Sequence, residues 1–430
     1  MMAEKTYLDL LDTLIAVIRQ NGSLKTAPVE AAFRGVPRHL FVPDLPLEQV
    51  YADEALMVKR NEEGRWTSSS SQPSIMAIML EQLDLRPGQR VLEIGAGTGY
   101  NAALMAAIVG PQGSVVTIDI QPNLIEAARR ALDAAGYSRV LALVGDGGYG
   151  YPAGAPYDRI ILTVGSYTIA PAWREQLVEG GILVLPLEVA GMQKSAALQR
   201  RGEELVSLSL TDCGFMPLQG DFAVPQKVKT PLSDDPRLCL EARSERLEDA
   251  RHIAGWLQDP PLDLPGGVTA KLGAYIYSLA PWIELHLAQV NPLVELTARQ
   301  ELADQNLIPP YIGIGGDWKS MNTLLLIEPD GAAAFTRPPG QPVQWFLPGL
   351  TAEGHENPVE QEFELHVRQL GPDDGPAQRL LAYIRAWDAA GRPGANQMSL
   401  RVVPQGAPVR PEAGEFVLER PWIRLLVKYK

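Results

Sequence analysis

Length, composition and charge narrow the class of protein. The 430 residues are enough for two or more domains, and a net charge of −13 argues against nucleic acid as the main partner, because phosphate binding depends on basic patches. No apolar run approaches the roughly 18 residues that span a membrane. The N-terminus has no secretory pattern, and the histidines and two cysteines lack metal-ligand spacing. We therefore expect a cytoplasmic protein without a bound metal or membrane partner.

The N-terminal half alternates helical and strand patterns, which is typical of a parallel sheet. Apolar spacing predicts helices over residues 5–20, 27–36 and 72–83 before a strand that starts at Val91. The segments expected beyond it are helix 102–109, strand 114–119, helix 122–135, strands 140–144 and 158–164, helix 170–178 and strand 181–187. Strands 196–199 and 204–210 would add an antiparallel edge. The predicted fold is a Rossmann-like α/β sheet with helices on both faces, over residues 1–223.

Prolines and a loss of periodicity predict a linker over residues 224–235. Beyond it we expect a separate α+β domain over residues 236–430. Its predicted elements are helices 236–257 and 268–286, a hairpin over 323–335, strand 361–368, helix 376–390, strand 398–403 and one or two strands within 416–429. The glycine-rich run 311–318 is expected to be a connection rather than a second binding loop.

The run Gly95-Ala-Gly-Thr-Gly99 follows the predicted strand and opens a helix. Glycines let the backbone turn tightly and pass close to a ligand, and the helix offers free N–H groups. Asp119 ends the next strand about 20 residues later, where an acid accepts hydrogen bonds from ribose hydroxyls. The spacing differs from the Gly-x-Gly-x-x-Gly of hydride-transfer dinucleotide sites, and Glu93 lies within the strand. Together they favour S-adenosylmethionine, a cationic donor, over an ordinary tight turn.

Asp146, in Gly145-Asp-Gly147, follows the third strand of this pattern. Ligands bind at the carboxyl ends of parallel strands, where Asp146 would accept from an adenine amino group. The alternative is an aspartate that caps its own turn.

Three segments together resemble the protein-L-isoaspartate O-methyltransferases of prokaryotic type. They are Thr67-Ser-Ser-Ser-Ser-Gln-Pro-Ser74, Arg38-His-Leu-Phe-Val-Pro43 and Gly145-Asp-Gly-Gly-Tyr-Gly150. Residues 155–158, 163–165 and 180–186 agree with the same pattern, so the resemblance covers residues 5–222, about half of the chain.

The resemblance implies transfer of a methyl group from S-adenosylmethionine to the α-carboxylate of isoaspartyl residues in proteins or peptides, followed by a succinimide that permits repair. Ser71 matches the family's active-site serine. The acceptor is expected to contact Ser70, Ser71, Val164 and Gly165. The cofactor is expected at Ser69, Gln72, Glu93, Gly95, Ala96, Gly97, Thr98, Gly99, Asn101, Asp119, Ile120, Asp146 and Gly147.

The extra C-terminal half leaves a second reading open. Some related methyltransferases carry an extension and modify a dedicated, ribosomally made peptide, and Leu380–Pro393 resembles part of such an extension. In that case the C-terminal domain would choose the substrate. A reading from another class is a non-catalytic protein that binds an adenosyl ligand.

Overall fold

The computed structural model describes residues 6–60, 66–223, 228–232, 238–242, 253–257, 259–260, 262–271, 274–287, 294–299, 320–336 and 362–430. The chain forms two compact units, Met1–Val224 with Ser399–Lys428 and Pro225–Met398 with Tyr429–Lys430. Residues 399–428 thus group with the first unit, whereas the sequence placed them in a C-terminal domain that ran to residue 430. Parts of the predicted linker, 224–227 and 233–235, and the run 311–318 lie outside the described residues.

A ten-stranded sheet organises the first unit. Its strands are β3 (Arg90–Ile94), β4 (Ser114–Asp119), β5 (Leu141–Val144), β6 (Tyr157–Leu162), β7 (Leu177–Val189), β8 (Met192–Arg201), β9 (Glu204–Asp212), β17 (Met398–Pro404), β18 (Phe416–Arg420) and β19 (Ile423–Tyr429). They lie in the order β18-β19-β17-β9-β8-β7-β6-β3-β4-β5. Pairing is parallel from β5 through β4, β3 and β6 to β7, and antiparallel from β7 to β8 and β9. This is the predicted Rossmann-like sheet with its antiparallel edge.

The helices of this unit follow their local sequence signals. They are α1 (Tyr7–Gln20), α2 (Ala27–Gly35), α3 (Leu47–Val50), α4 (Pro73–Leu83), α5 (Tyr100–Val109), α6 (Pro122–Ala134) and α7 (Pro171–Glu175). Thr6 and Asp9 form a capping box at the start of α1, and a proline occupies the first turn of α4 and of α6. Almost every side chain of α5 is buried, so this helix lies in the core.

The order of the strands creates a switch point at β3. The chain runs from β3 outward to β4 and β5 and then returns to β6 on the other side of β3. The loops that leave β3 and β6 therefore diverge, and a crevice opens at the carboxyl end of β3, where doubly wound sheets bind their ligands.

One expectation for this unit is wrong in detail. The predicted helix 170–178 ends at Glu175, because Leu177 already begins β7. Part of the serine-rich segment pairs in a hairpin of β1 (Leu56–Arg60) and β2 (Trp66–Ser70). Within the described part of the chain, no helix has the length and apolar character needed to cross a membrane.

The second unit contains strands β10 (Val228–Pro231), β11 (Leu238–Ala242), β12 (Leu262–Lys271), β13 (Val294–Arg299), β14 (Ser320–Glu328), β15 (Gly331–Thr336) and β16 (Glu362–Leu370). Its described helices are α8 (Ile253–Trp256), a π-helical turn over Tyr275–Leu279 that continues into α9 (Ala280–Leu287), and α10 (Gly375–Ala389). The seven strands form one antiparallel sheet, and α10 buries Ile384 and Trp387 in the core of this unit.

The sequence assigned two stretches of this unit to the wrong class. Residues 238–242 form β11 although a helix was predicted over 236–257, and residues 268–271 complete β12 although a helix was predicted over 268–286. Pairing with β13 and β16 gives these short segments partners that local periodicity does not reveal. The hairpin of β14 and β15, the strand β16 and the helix α10 match the predicted types.

Candidate active site

A cleft of about 320 Å³ opens at the carboxyl end of β3. Its walls come from the serine-rich segment 67–72, the glycine turn after β3, the end of β4, and residues 212–219. Every predicted site residue lines this cleft except Glu93, Gly99, Asp146 and Gly165. The structure thus brings together segments that are separated by more than a hundred positions in the sequence.

The turn after β3 is a backbone cradle. Gly95, Gly97 and Gly99 have φ values of 99°, 52° and 85°, a left-handed region that favours glycine. A Cβ on Gly95 would lie 2.7 Å from Thr163 Oγ1, and one on Gly147 would lie 2.3 Å from Ile94 Cγ2. The cleft is therefore bounded here by main chain without side chains, so a ligand can lie close to the backbone.

Glu93 lies beneath this cradle, fully buried. Asn101 Nδ2 donates to Oε1 at 2.7 Å and Thr117 Oγ1 donates to Oε2 at 2.6 Å. Burial raises the pKa of the Glu93 carboxyl to about 7, although both hydrogen bonds oppose the rise. Glu93 ties β3 to the first turn of α5, so it holds the loop from below and forms no part of the cleft wall.

Asp119 ends β4 at the opposite wall of the cleft. The N–H of Gly97 donates to Oδ2 at 3.1 Å, and the N–H of Gln121 donates to Oδ1 at 3.0 Å. Burial raises the pKa of Asp119, and these hydrogen bonds oppose the rise. A carboxylate oxygen accepts more than one hydrogen bond, so Asp119 retains acceptor capacity for ligand hydroxyls.

Asp146 caps the short helical turn Gly147–Tyr149 that follows β5. Gly148 N donates to Oδ1 at 2.8 Å, and Asp221 N donates to Oδ2 at 2.7 Å. The carboxylate is thus fixed by its own turn and by the segment that runs along the cleft wall, while Gly147 itself faces the cleft.

The serine-rich segment covers the cleft. Ser70 is 3% exposed and its Oγ has no hydrogen-bond partner among the described residues. Ser71 is half-buried and lines the cleft, as does Gln72, whose Nε2 donates to the Asp53 carbonyl at 2.9 Å. The carbonyl of Ser69 lies 3.5 Å from the position of a Cβ on Gly97, so the segment packs closely over the glycine turn.

Sequence reasoning missed the residues that hold this segment in place. The Arg38 guanidinium, 1% exposed, donates to the carbonyls of Val50 at 2.9 Å and Ser71 at 3.0 Å. Asp53 accepts from Ser74 N at 2.8 Å and caps α4. The segment Arg38–Pro43 belongs to the family pattern, and its arginine is the sequence signal that could have indicated this role. Nothing in the local sequence of Asp53 indicates its role.

Val164 and Gly165, both predicted to contact the acceptor, differ in their position relative to the cleft. Val164 lines the cleft, whereas the backbone of Gly165 is paired with the segment after β9. Gly165 N donates to the Met216 carbonyl at 2.7 Å, and Leu218 N donates to the Gly165 carbonyl at 2.8 Å. Gly165 therefore positions the segment of residues 216–218, whose side chains also line the cleft.

Comparison with known proteins agrees with this geometry. The family model for protein-L-isoaspartate(D-aspartate) O-methyltransferase matches residues 11–223. A protein-L-isoaspartate O-methyltransferase of Ignicoccus hospitalis is 40% identical over 216 residues, which cover 50% of this chain and 98% of the relative. One of Methanopyrus kandleri is 38% identical over 220 residues, which cover 51% of this chain and 95% of the relative.

Solved structures extend the comparison. One described as a protein-L-isoaspartate O-methyltransferase has a TM-score of 0.48 at 22% identity and covers 91% of this chain and 96% of its own. A Plasmodium falciparum protein, described as a putative member in complex with S-adenosyl-L-homocysteine, has a TM-score of 0.44 at 17% identity and covers 50% of this chain and 99% of its own. The family model and the sequence relatives decide the family: this chain belongs to the protein-L-isoaspartate(D-aspartate) O-methyltransferase family, as an enzyme that uses S-adenosylmethionine.

Proposed function

We propose that this chain transfers a methyl group to the α-carboxylate of L-isoaspartyl residues in proteins or peptides, and that the transfer takes place in the cleft at the end of β3. The observation that carries the proposal is the meeting of the glycine cradle and the serine-rich segment in one cleft. A donor held on the cradle would face an acceptor held beside Ser71. The ester would then close to a succinimide with release of methanol, and hydrolysis of the succinimide restores part of the aspartate.

The residues present fit S-adenosylmethionine. The glycine turn presents main chain without obstructing side chains, Asp119 would hold the ribose hydroxyls, and the turn after Asp146 would receive the adenine. Ser70 Oγ, buried without a partner, is a polar group that a ligand in the cleft would satisfy. When bound, the cofactor supplies an electrophilic methyl group on a positively charged sulfur.

The chain's own residues contribute placement more than proton transfer. An acceptor carboxylate has an ordinary pKa near 4, so it is ionised at neutral pH without a general base. Ser71 would donate a hydrogen bond to it and fix its direction. Apolar side chains of the wall, which include Met76 and Leu124, would limit the water around the reacting groups. Methyl transfer neutralises two opposite charges, so a site with little water favours the less polar transition state.

Replacing Ser71 by alanine tests this assignment. We expect methyl transfer to an isoaspartyl peptide to fall by about 10-fold or more, as for a lost positioning group, while S-adenosylhomocysteine binds with unchanged affinity. Ser138→Ala, at an exposed turn remote from the cleft, is the control. Equal turnover of Ser71→Ala and the wild type would contradict the role of Ser71.

The exact substrate and the place of action are also proposals. We propose protein substrates that carry isoaspartyl residues at exposed, unfolded positions, because the acceptor must enter a cleft of limited size. We further propose action in the cytoplasm, where the free thiols of Cys213 and Cys239 would remain reduced.

A further inference from the structure

The segment of residues 212–222, at the wall of the cleft, is held by a part of the chain that lies far beyond residues 11–223, which match the family model. Residues 212–219 line the cleft, and the next residues, 220–222, fold onto the turn that contains Asp146. Asp221 N donates to Asp146 Oδ2 at 2.7 Å. Gly220 approaches so closely that a Cβ there would lie 2.3 Å from the same oxygen. Residues 220–222 therefore fix the orientation of the Asp146 carboxylate.

Phe222 anchors this segment. Its ring covers Gly148, where a Cβ would lie 2.0 Å from Phe222 Cδ2. The ring also packs edge-on against Tyr149 at 5.3 Å between centroids, and the Tyr149 hydroxyl donates to Asp221 Oδ2 at 2.6 Å. The ring of Phe222 also contacts that of Trp422, with the centroids 4.7 Å apart and the ring planes tilted by 44°.

Trp422 reaches this position at the turn between β18 and β19. The strands pair up to Arg420 and Ile423, which leaves Pro421 and Trp422 as a two-residue turn. Trp422 has a φ of 65°. The position of such a turn that has a positive φ is normally occupied by glycine. Its side chain remains 40% exposed. Neither turn preference nor core burial explains a tryptophan here, whereas the aromatic contact with Phe222 does.

We infer that Trp422 is a positioning residue for the cofactor site: by packing its ring on Phe222 it holds residues 220–222 against Asp146. The inference rests on the proposed placement of adenine at the turn after Asp146. It assigns a role in the methyl-transfer unit to the last thirty or so residues, which group with this unit in the structure as Ser399–Lys428. Trp422 acts only through Phe222 and the main chain of Asp221.

Two substitutions, Trp422→Gly and Trp422→Phe, distinguish a loss of cofactor-site positioning from a loss of folding. Trp422→Gly removes the aromatic contact but suits the backbone of the turn, so the hairpin is expected to remain folded. We expect S-adenosylhomocysteine to bind this variant about five-fold more weakly, as when one aromatic pair is lost. Trp422→Phe should bind within about two-fold of the wild type, because a smaller ring preserves part of the aromatic contact.

Ala190→Gly is the matched control. Ala190 lies in the two-residue turn between β7 and β8 with a φ of 49°, so the change relaxes a similar backbone without removing an aromatic contact. Its affinity should equal that of the wild type. Calorimetric titration of the full chain, well below its melting temperature, gives each dissociation constant.

Wild-type affinity in Trp422→Gly would overturn the inference, and so would an equal loss in Ala190→Gly. If Trp422→Gly fails to fold, Phe222→Leu replaces it with the same two outcomes. Methyl transfer to an isoaspartyl peptide by the wild type is measured in parallel. Its absence, with the affinity pattern intact, would refute the proposed function while the role of Trp422 stands.

Discussion

Replacing Glu93 by glutamine should remove a pH dependence of stability that the buried carboxyl creates. The glutamine amide keeps the shape of the side chain: its oxygen accepts from Asn101, and its nitrogen donates to Thr117 Oγ1 once that hydroxyl rotates. The variant therefore retains both contacts but does not titrate. Any difference between the two proteins that changes with pH reports on the Glu93 carboxyl.

The magnitude follows from the pKa. The native state raises it from 4.5 to about 7, so the native state binds a proton more tightly than the unfolded chain. The stabilisation is complete below pH 4.5 and is lost as the pH rises through 7. Each unit of pKa corresponds to about 1.4 kcal/mol, which gives about 3 kcal/mol in all and about 2 kcal/mol between pH 5.5 and 8.5.

Hydrogen exchange of the β3 amides is a suitable assay, because it reports on the first unit alone. From pH 5.5 to 8.5 the opening free energy of the wild type should fall by about 2 kcal/mol relative to Glu93→Gln at the same pH values. Glu126→Gln, exposed on α6, is the control and should follow the wild type. Parallel profiles for the wild type and Glu93→Gln would contradict a raised pKa of the Glu93 carboxyl in the native state.

Three further substitutions test the parts around the cleft. Arg38→Lys should lower the free energy of unfolding by about 2–4 kcal/mol, because a lysine cannot replace two or more charge-assisted hydrogen bonds to carbonyls; unchanged denaturant midpoints would exclude this. Gly147→Ala should weaken S-adenosylhomocysteine binding by about 10-fold and cost about 1–3 kcal/mol, since its Cβ would collide with Ile94; Gly35→Ala, with open space around it, is the control. Lys59→Met should speed ligand release by about 2–5-fold in stopped-flow experiments, because Lys59 Nζ donates to the side chains of Gln121, which lines the cleft, and Asn123; unchanged release would contradict that contact's role.

Most of the first unit can be predicted from local sequence signals. The glycine run predicts its own backbone, since three left-handed positions within five residues require glycine. Asp119 follows from the end of a strand at a fixed distance from that run. The alternation of strands and helices then fixes a parallel sheet and places the ligand at its carboxyl edge.

The remaining features depend on contacts between distant segments. Arg38 finds its acceptors up to 33 positions away, and Asp53 caps a helix 21 positions later. Neither contact has a spacing in the chain that a known sequence pattern predicts. The error at β11 has the same origin, because a five-residue strand is specified by its neighbours in the sheet rather than by its own periodicity.

The C-terminal end shows the largest gap between sequence and structure. Strands β17 to β19 were predicted as strands, but their membership of the first sheet depends on pairing between β17 and β9, for example Arg401 with Val206. Arg401 also bonds to Glu415 at 2.9 Å, and this pair raises the pKa of the arginine and lowers that of the glutamate. The pairing of the C-terminal strands with the first sheet has no local sequence signature.

Methyl transfer to isoaspartyl residues is tested most directly by offering the full chain two peptides that differ only in one aspartyl linkage. With a radiolabelled methyl donor, we expect base-labile methyl esters, and later methanol release, from the isoaspartyl peptide and none from the ordinary aspartyl peptide. Failure to methylate the isoaspartyl peptide, by protein that binds S-adenosylhomocysteine in the same preparation, would contradict this expectation.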